Sequence, residues 1–499
     1  MNPLKQLAGQ TAIYGLSSIV GRLLNYLLVP LYTRYFIPAE YGVVTELYAY
    51  VAFLVIILTY GLETAFFRFS QKKYDKDLVY STSLISLIIS SILFVFIMIS
   101  SQQTIANWLE YPQNPEYVMW FALIIGLDAV SSISFAKLRE QEQAARFALV
   151  RLVNIFINIG LNLFFIIYCP YALENGLPTT DFVNSVYDPS IGVGYIFIAN
   201  LFASVVTILM LLPEMIKSSW NFNSALWKKM MWYALPLLVA GLAGMTNETI
   251  DRILLKQLLP EGVDKMAAIG IYGAFYKISI IMILFIQTFR FAAEPFFFSQ
   301  EKQHNSRKIY ADVLKYFTIL ASLIFLVVML YIDVVKHFIG SSFHSESGIK
   351  IVPILLLANL FLGIYYNLSV WYKLTDKTAY GAILSVFGAL ITLVLNILLI
   401  PAIGFVGSAW ATLGCYFSMM LASLLIGRKH YKIPYDFVIV FFYIFLSTGL
   451  YKLSRYFENL FQFEPSMLIN TIYLIIFLVV VFLQEKYKKD VISEPELFD

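Results

Sequence analysis

Any chemistry this chain performs must come from a small set of ionisable and amide side chains set inside long apolar runs. Arg22, Asp128 and Lys277 fall near the middle of such runs. Glu248, Asp251 and Arg252 lie in the outer third of another, and Glu46 and Glu63 lie toward opposite ends of a further one. Ionised groups in hydrocarbon are costly and ordinarily face a cavity or a partner. Arg22 and Lys277 are too deep to reach an interface, so they read as binding cations suited to a phosphate or pyrophosphate. Arg151, Arg290, Lys315 and Lys350 sit near run ends, where snorkelling to the interface is the default. Asp251 and Arg252 read as a structural ion pair or as part of a site. Asp128 reads as a counter-ion to one of the cations or as a group that takes up and releases a proton, and Glu248 shares the second reading. Asn154, Asn158 and Asn162 recur every four residues and so form one polar stripe on a helix. Such a stripe serves as helix–helix glue or contacts sugar hydroxyls.

The elements that must position these groups are membrane helices. The 499 residues are 60% hydrophobic and 13% charged, with mean hydropathy +0.74. A soluble domain carries roughly 45–50% apolar and about 25% charged residues. A spanning helix needs about 20 mostly apolar residues. Such stretches lie at 9–32, 42–66, 79–99, 117–136, 147–169, 191–212, 231–255, 267–290, 309–332, 349–371, 378–400, 403–426, 435–453 and 466–484. None alternates polar and apolar residues as a barrel strand would, so the expectation is an all-α integral membrane protein of about fourteen helices. The first is read as a retained helix, because Arg22 and Asn25 interrupt it and no small-residue cleavage site follows.

Charge placement sets the orientation. With the N-terminus inside, every inner segment carries Lys or Arg, from Lys72 and Lys73 through Arg139, Lys228, Lys308, Lys377 and Arg428 to Lys488. Outer loops hold few, among them Arg34, Lys256 and Lys336. The alternation never breaks, so both termini are expected in the cytoplasm. The outer loop over 170–190 is acidic and turn-rich and too small for a catalytic domain. From Glu485 the chain reads as a disordered tail. Cys169 and Cys415 and the four histidines show no metal-ligand or disulfide spacing.

The chain also looks duplicated. Asn25, Arg34 and Pro38 are matched in spacing by Asn247, Lys256 and Pro260. Asn162-Leu163-Phe164-Phe165-Ile166 and Asn396-Ile397-Leu398-Leu399-Ile400 close the fifth and eleventh helices. An offset of six helices gives parallel repeats. The expected domains are therefore a six-helix lobe over 1–215, a second over 216–430, an appended helix pair over 431–486 and a cytoplasmic tail over 487–499.

Several short motifs resemble bacterial polysaccharide flippases. They include Ser17-Ser18-Ile19-Val20-Gly21-Arg22-Leu23-Leu24-Asn25-Tyr26, Val29-Pro30-Leu31-Tyr32-Thr33-Arg34-Tyr35 and Pro38-Ala39-Glu40-Tyr41-Gly42. In the second half the similar segments are Asp251-Arg252-Ile253-Leu254-Leu255, Gly270-Ile271-Tyr272-Gly273-Ala274-Phe275-Tyr276-Lys277 and Ala293-Glu294-Pro295-Phe296. The family is the O-antigen and teichoic-acid exporter type within the multidrug/oligosaccharidyl-lipid/polysaccharide exporter superfamily. The resemblance implies two six-helix lobes in a V and alternating access in a bacterial cytoplasmic (inner) membrane. The implied substrate is an undecaprenyl-pyrophosphate-linked oligosaccharide, such as an O-antigen (lipopolysaccharide), capsule or exopolysaccharide repeat unit. It implies proton or sodium coupling, no bound cofactor, a transporter and not an enzyme, and a monomer that serves glycan assembly enzymes and has no nucleic-acid partner. By match, Arg22, Asp251, Arg252, Tyr272 and Lys277 carry over as site positions. Asn25, Asn154 and Asn158 join them as candidate sugar contacts, and Asp128, Glu248 and Asp251 are the ion-coupling candidates. The first helix has Arg22 alone in its middle, where the lipid II flippase branch is richer in arginine, which argues against peptidoglycan as cargo. Two other readings stand beside this one. A multidrug or cation antiporter would want a net acidic cavity, whereas a membrane glycan polymerase or ligase would want a larger outer loop.

Overall fold

A computed structural model describes residues 21, 23–24, 26–71, 74–301, 303, 305–461 and 467–493. In chain order the helices are α1 (Leu28–Tyr35), α2 (Pro38–Thr59), α3 (Leu62–Ser70), α4 (Lys76–Ser100), α5 (Gln102–Trp108), α6 (Pro115–Glu140) and α7 (Ala144–Leu163). Then come α8 (Cys169–Glu174), α9 (Thr180–Val186), α10 (Gly194–Ile216), α11 (Ser224–Leu258), α12 (Lys265–Gln300), α13 (Ser306–Leu330) and α14 (Ile332–Val335). The last are α15 (Glu346–Leu368), α16 (Val370–Leu374), α17 (Ala379–Ile403), α18 (Phe405–His430), α19 (Phe437–Phe461) and α20 (Met467–Ser493). No described residue is in a strand. Among them, 13 helical stretches are long and apolar enough to cross a membrane. The stretch expected at 9–32 lies largely outside the described residues. The chain is thus an all-α, multi-pass membrane protein with about fourteen spans.

Local chemistry sets the helix boundaries. Pro38 occupies the first turn of α2, and the Glu40 carboxylate accepts the Ile37 backbone N–H at 3.0 Å. Pro at this position loses no helical hydrogen bond, and the acid complements the helix N-terminus. The span 38–70 breaks between α2 and α3, where Tyr60 and Gly61 both take positive φ (35° and 70°). Glycine adopts that conformation without a Cβ penalty. A π-helical turn at Phe164–Tyr168 joins α7 to α8.

The chain divides into two compact units. The first comprises the described part of Met1–Gln257 with Gly262–Gly270, and the second Leu258–Glu261 with the described part of Ile271–Asp499. In the first, α4 packs on α6, α10 on α7, and α10 on α6. Its core gathers Leu62, Phe66, Tyr80, Leu84, Ile133 and Phe147 with Met230 and Ala234 of α11. In the second, α13 packs on α15, α17 on α18, and α15 on α18. These are the same three pairings, six spans further along.

Helices α19 and α20 dock on α13 within the second unit. Leu326 and Leu330 meet Tyr443, Leu450 and Phe477 in one apolar cluster. Polar ties fix the register of that docking. Asn470 Nδ2 donates to the Leu330 carbonyl at 2.7 Å, and Lys315 Nζ reaches Glu485 at 2.7 and 2.8 Å. Arg455 and Lys336 both bind Asp333, at 3.0 and 2.8 Å. Partial burial pushes the Asp333 carboxyl up, but the two cations outweigh it and hold it below the ordinary carboxylate range. The chain stays helical past Glu485, to Ser493, because Glu485 is anchored on α13.

Candidate functional site

Two of the expected site residues, Arg22 and Asn25, lie outside the described residues. The others divide between the two units. In the first unit, Asp128 of α6 accepts the Ser204 hydroxyl of α10 at 2.8 Å. Among the described residues the opposing charge is Arg151 of α7, whose guanidinium stacks 4.2 Å from the Phe135 ring centroid. One helix turn along the same seam, Asn200 donates to Tyr48 at 2.9 Å, and Asn154 donates to Thr207 at 2.9 Å. The amide stripe of α7 ends at Asn162, which donates to the Asn158 carbonyl and side chain and accepts the Tyr32 hydroxyl at 3.0 Å.

The stripe's hydrogen bonds therefore run within α7 and to α1 and α10, which is the chemistry of helix packing. Tyr32→Phe is expected to lower stability by about 0.6 kcal/mol, an ordinary value for an interhelical hydrogen bond in a membrane protein. Thermal unfolding in detergent would check this. A loss several times larger would mean that Asn162 holds more than one helix contact.

On α11, Asp251 and Arg252 are buried together. The Asp251 carboxylate accepts the Arg252 backbone N–H at 2.9 Å and its guanidinium at 2.8 Å. The same guanidinium also binds the Glu248 backbone carbonyl, while the Glu248 side chain is exposed. In the second unit, Tyr272 is fully enclosed, with ring centroids 6.0 Å from Tyr276 and 6.3 Å from Phe405. Lys277 follows on α12 and is half-buried.

Two clusters escaped the sequence reading. The first joins Glu46 of α2, Lys256 of α11, and Glu110 and Tyr111 of the segment between α5 and α6. Lys256, expected as an outer-loop cation, instead sits in the last turn of α11 at 5% exposure, with Nζ 3.2 Å from the fully buried Glu46. The second is in the other unit. Glu294 of α12 binds both Arg290, at 3.4 Å, and Lys373 of α16, at 2.7 Å, while Arg290 stacks 4.0 Å over Tyr366. Lys315 is buried and pairs with Glu485. The only sequence signal for these partners was an unmatched charge inside an apolar run. Their pairings span 210 residues for Glu46–Lys256 and 170 for Lys315–Glu485.

Near the segment ends 75–77, 137–146 and 213–217, an open cavity of about 1010 Å³ is lined by Lys76, Asp77, Lys137, Glu140, Arg146 and Glu214 among others. Those charges are already bonded to one another, as in Lys76–Glu140 and Arg146–Glu214, both at 2.5 Å. The cavity is therefore a solvated ion-pair network without a committed ligand charge.

The fold has solved counterparts. The structure of lipid II flippase MurJ in an inward closed conformation has a TM-score of 0.71 and 15% identity, over 94% of this chain and 98% of that one. An inward-facing multidrug resistance MATE family transporter of the MOP superfamily has a TM-score of 0.62 and 14% identity, over 84% and 94%. A MOP superfamily transporter from Pyrococcus furiosus, whose binding pocket is described as having reverse polarity, has a TM-score of 0.53 and 15% identity, over 85% and 94%. At such identities these likenesses show the fold, which is that of flippases and transporters. No curated protein sequence matches the chain at a significant level. A family model described as polysaccharide biosynthesis protein matches residues 7–299, more than half the chain. On that match, the chain belongs to the polysaccharide biosynthesis protein family.

Proposed function

We propose that this protein is a flippase. It moves a polyprenyl-pyrophosphate-linked oligosaccharide, an O-antigen, capsule or exopolysaccharide repeat unit, from the inner to the outer leaflet of a bacterial cytoplasmic membrane. The observation that carries this reading is the polysaccharide family match on a chain of at least 13 spans. The carrier lipid is undecaprenyl, both termini are cytoplasmic, and the protein acts as a monomer supplied by glycan assembly enzymes. The repeats are 1–215 and 216–430, with 431–486 appended and 487–499 as a tail.

The physical task is to carry a dianionic, hydroxylated head group past about 30 Å of hydrocarbon. Arg22 and Lys277 bind the pyrophosphate, Arg252 and Tyr272 are further substrate-binding positions, and Asn25 meets the sugars. Alternating exposure of this site to the two sides moves the head group while the prenyl tail stays in lipid. Asp128, held by Ser204 and facing Arg151, together with Glu248 and Asp251, links that exposure to an ion gradient.

Lys277→Ala and Arg22→Ala are each expected to reduce glycan export by about 10- to 100-fold, the loss of one hydrogen bond to a charged group. Lys277→Arg should retain most of it. Export is read in a deletion strain with membrane levels of each variant matched. Normal export by both alanine variants sinks the assignment.

The MATE-like fold favours a second reading, a multidrug or cation antiporter. Drug-susceptibility profiling of the same deletion strain separates the two. Lost drug resistance with normal surface glycan would select the antiporter.

A further inference from the structure

Glu46 lies one helix turn past Gly42 on α2 and is fully enclosed. Its Oε2 accepts the Tyr111 hydroxyl and, at 3.2 Å, Lys256 Nζ. Its Oε1 is buried and has no hydrogen-bond partner among the described residues. A carboxylate offers about four acceptor positions, and leaving a buried oxygen unbonded is costly. Lys256 is held from other sides as well. Nζ donates to the Leu109 carbonyl at 2.5 Å, stands 4.2 Å over the Tyr111 ring and is 3.8 Å from Glu110. Glu110 is 66% exposed and marks the water-facing edge of the cluster. The titratable groups around Glu46 are Tyr50 on α2 itself, Glu110 and Tyr111 between α5 and α6, and Lys256 on α11. Helix α12 contributes Met266, which Tyr111 touches at 3.8 Å.

This cluster sits beside a backbone-to-backbone crossing. A Cβ on Gly42 would lie 2.0 Å from the Met266 carbonyl oxygen, and one on Gly270 would lie 1.8 Å from the Pro38 carbonyl oxygen. The start of α12 therefore rests directly on α2, and separating them requires Tyr111, which touches both, to release Glu46 or Met266, while Lys256 ties Glu46 to the end of α11.

We propose that Glu46 is a proton-binding site that latches this crossing. The ionised carboxylate holds Lys256 and Tyr111 and keeps α2 against α12. A proton entering past Glu110 binds Oε1, the oxygen without a partner. One O–H bond forms, the cluster gains one positive charge, and Lys256 is left to Glu110 and the Leu109 carbonyl. With its charge pair gone, the crossing opens. The inference rests on the flippase reading for its purpose, which is to couple opening to protons. The latch itself can be measured without cargo.

The test uses the full chain in lipid nanodiscs, with spin labels on Ile37→Cys and Val263→Cys, both exposed positions, while the native Cys169 and Cys415 are buried. As the pH is lowered, the short inter-label separation should give way to a longer one. Glu46→Gln should hold the longer separation at every pH, and Lys256→Arg should keep the wild-type profile. Tyr111→Phe removes one hydrogen bond to the ionised form, so its midpoint should rise by about one pH unit. A wild-type profile in Glu46→Gln overturns the proposal. If that variant does not fold, an unmoved midpoint in Tyr111→Phe overturns it. A Glu46-dependent switch in a protein that moves no lipid-linked glycan would keep the latch and sink the flippase reading. Glycan movement with a Glu46-independent pH profile would do the reverse.

Discussion

Gly270→Val is expected to abolish the close crossing of α2 and α12 and to lower stability by about 3 kcal/mol or more, at the upper end of what overpacking costs. The obstacle is backbone. A Cβ at 270 would stand 1.8 Å from the Pro38 carbonyl oxygen and 3.0 Å from the Gly42 nitrogen. No side chain can rotate aside to relieve either contact, so the helices themselves must part. Membrane helices rely on such small-residue crossings, because lipid gives apolar side chains little reason to prefer one another. Gly42→Val should fail in the same way, against the Met266 carbonyl oxygen at 2.0 Å. Gly160→Ala is the control. Its Cβ would meet nothing within 4 Å, and a helical Gly→Ala change there should be neutral or slightly stabilising. The readouts are the thermal midpoint in detergent and the Ile37–Val263 label separation. A Gly270→Val protein with wild-type values of both would show that the two backbones do not meet.

The helices were legible because hydropathy is a local property. The run at 79–99 is α4 over 76–100, and the run at 378–400 is α17 over 379–403. The longest elements overshoot their apolar runs. The run at 231–255 becomes α11 over 224–258, and the run at 267–290 becomes α12 over 265–300. A helix does not have to end where the hydrocarbon does, because its polar end turns remain hydrogen-bonded in water. Helix α20 makes the same point, since the polar residues after 484 read as a disordered tail until Glu485 is seen on Lys315.

Apart from the adjacent Asp251 and Arg252, charges were legible one at a time and illegible as pairs. Glu46 was visible as an acid in an apolar helix, and Lys256 as a basic residue near a loop. Nothing local links them across 210 residues. Asn154 and Asn158 show the converse. Their four-residue spacing located the stripe correctly on one face, but spacing does not say whether that face meets a neighbouring helix or a sugar. In the structure the amides have helix partners, Thr207 and Asn162. For Asp128 the sequence offers Arg22 and Lys277 as counter-ions; Arg22 lies outside the described residues, and among the described ones Arg151 is set against it. By depth alone Arg151 reads as interfacial, and it is exposed.

The docking of α20 should depend on the Lys315–Glu485 pair, and Lys315→Met is expected to cost about 1–3 kcal/mol. Breaking one partner of a buried pair costs about 3–5 kcal/mol, and here solvent screens part of that because Glu485 keeps 22% of its side-chain exposure. The Lys315 side chain is only 9% exposed, and both carboxylate oxygens are engaged by Nζ, with the Tyr316 hydroxyl adding a third bond at 3.0 Å. Removing the ammonium leaves the carboxylate against the apolar flank of α13. Glu485→Leu combined with Lys315→Met should recover most of the loss, because the two facing positions then pack as hydrocarbon. The effect should also be local. Amide exchange should accelerate over 467–493, where Asn470 and Thr471 remain the other polar ties to α13 and Tyr331, while the α15–α18 pairing keeps its protection. If exchange rises equally throughout the second unit, α20 is part of that unit's cooperative core. If the double variant is no better than Lys315→Met, the pair does not supply the energy that holds α20.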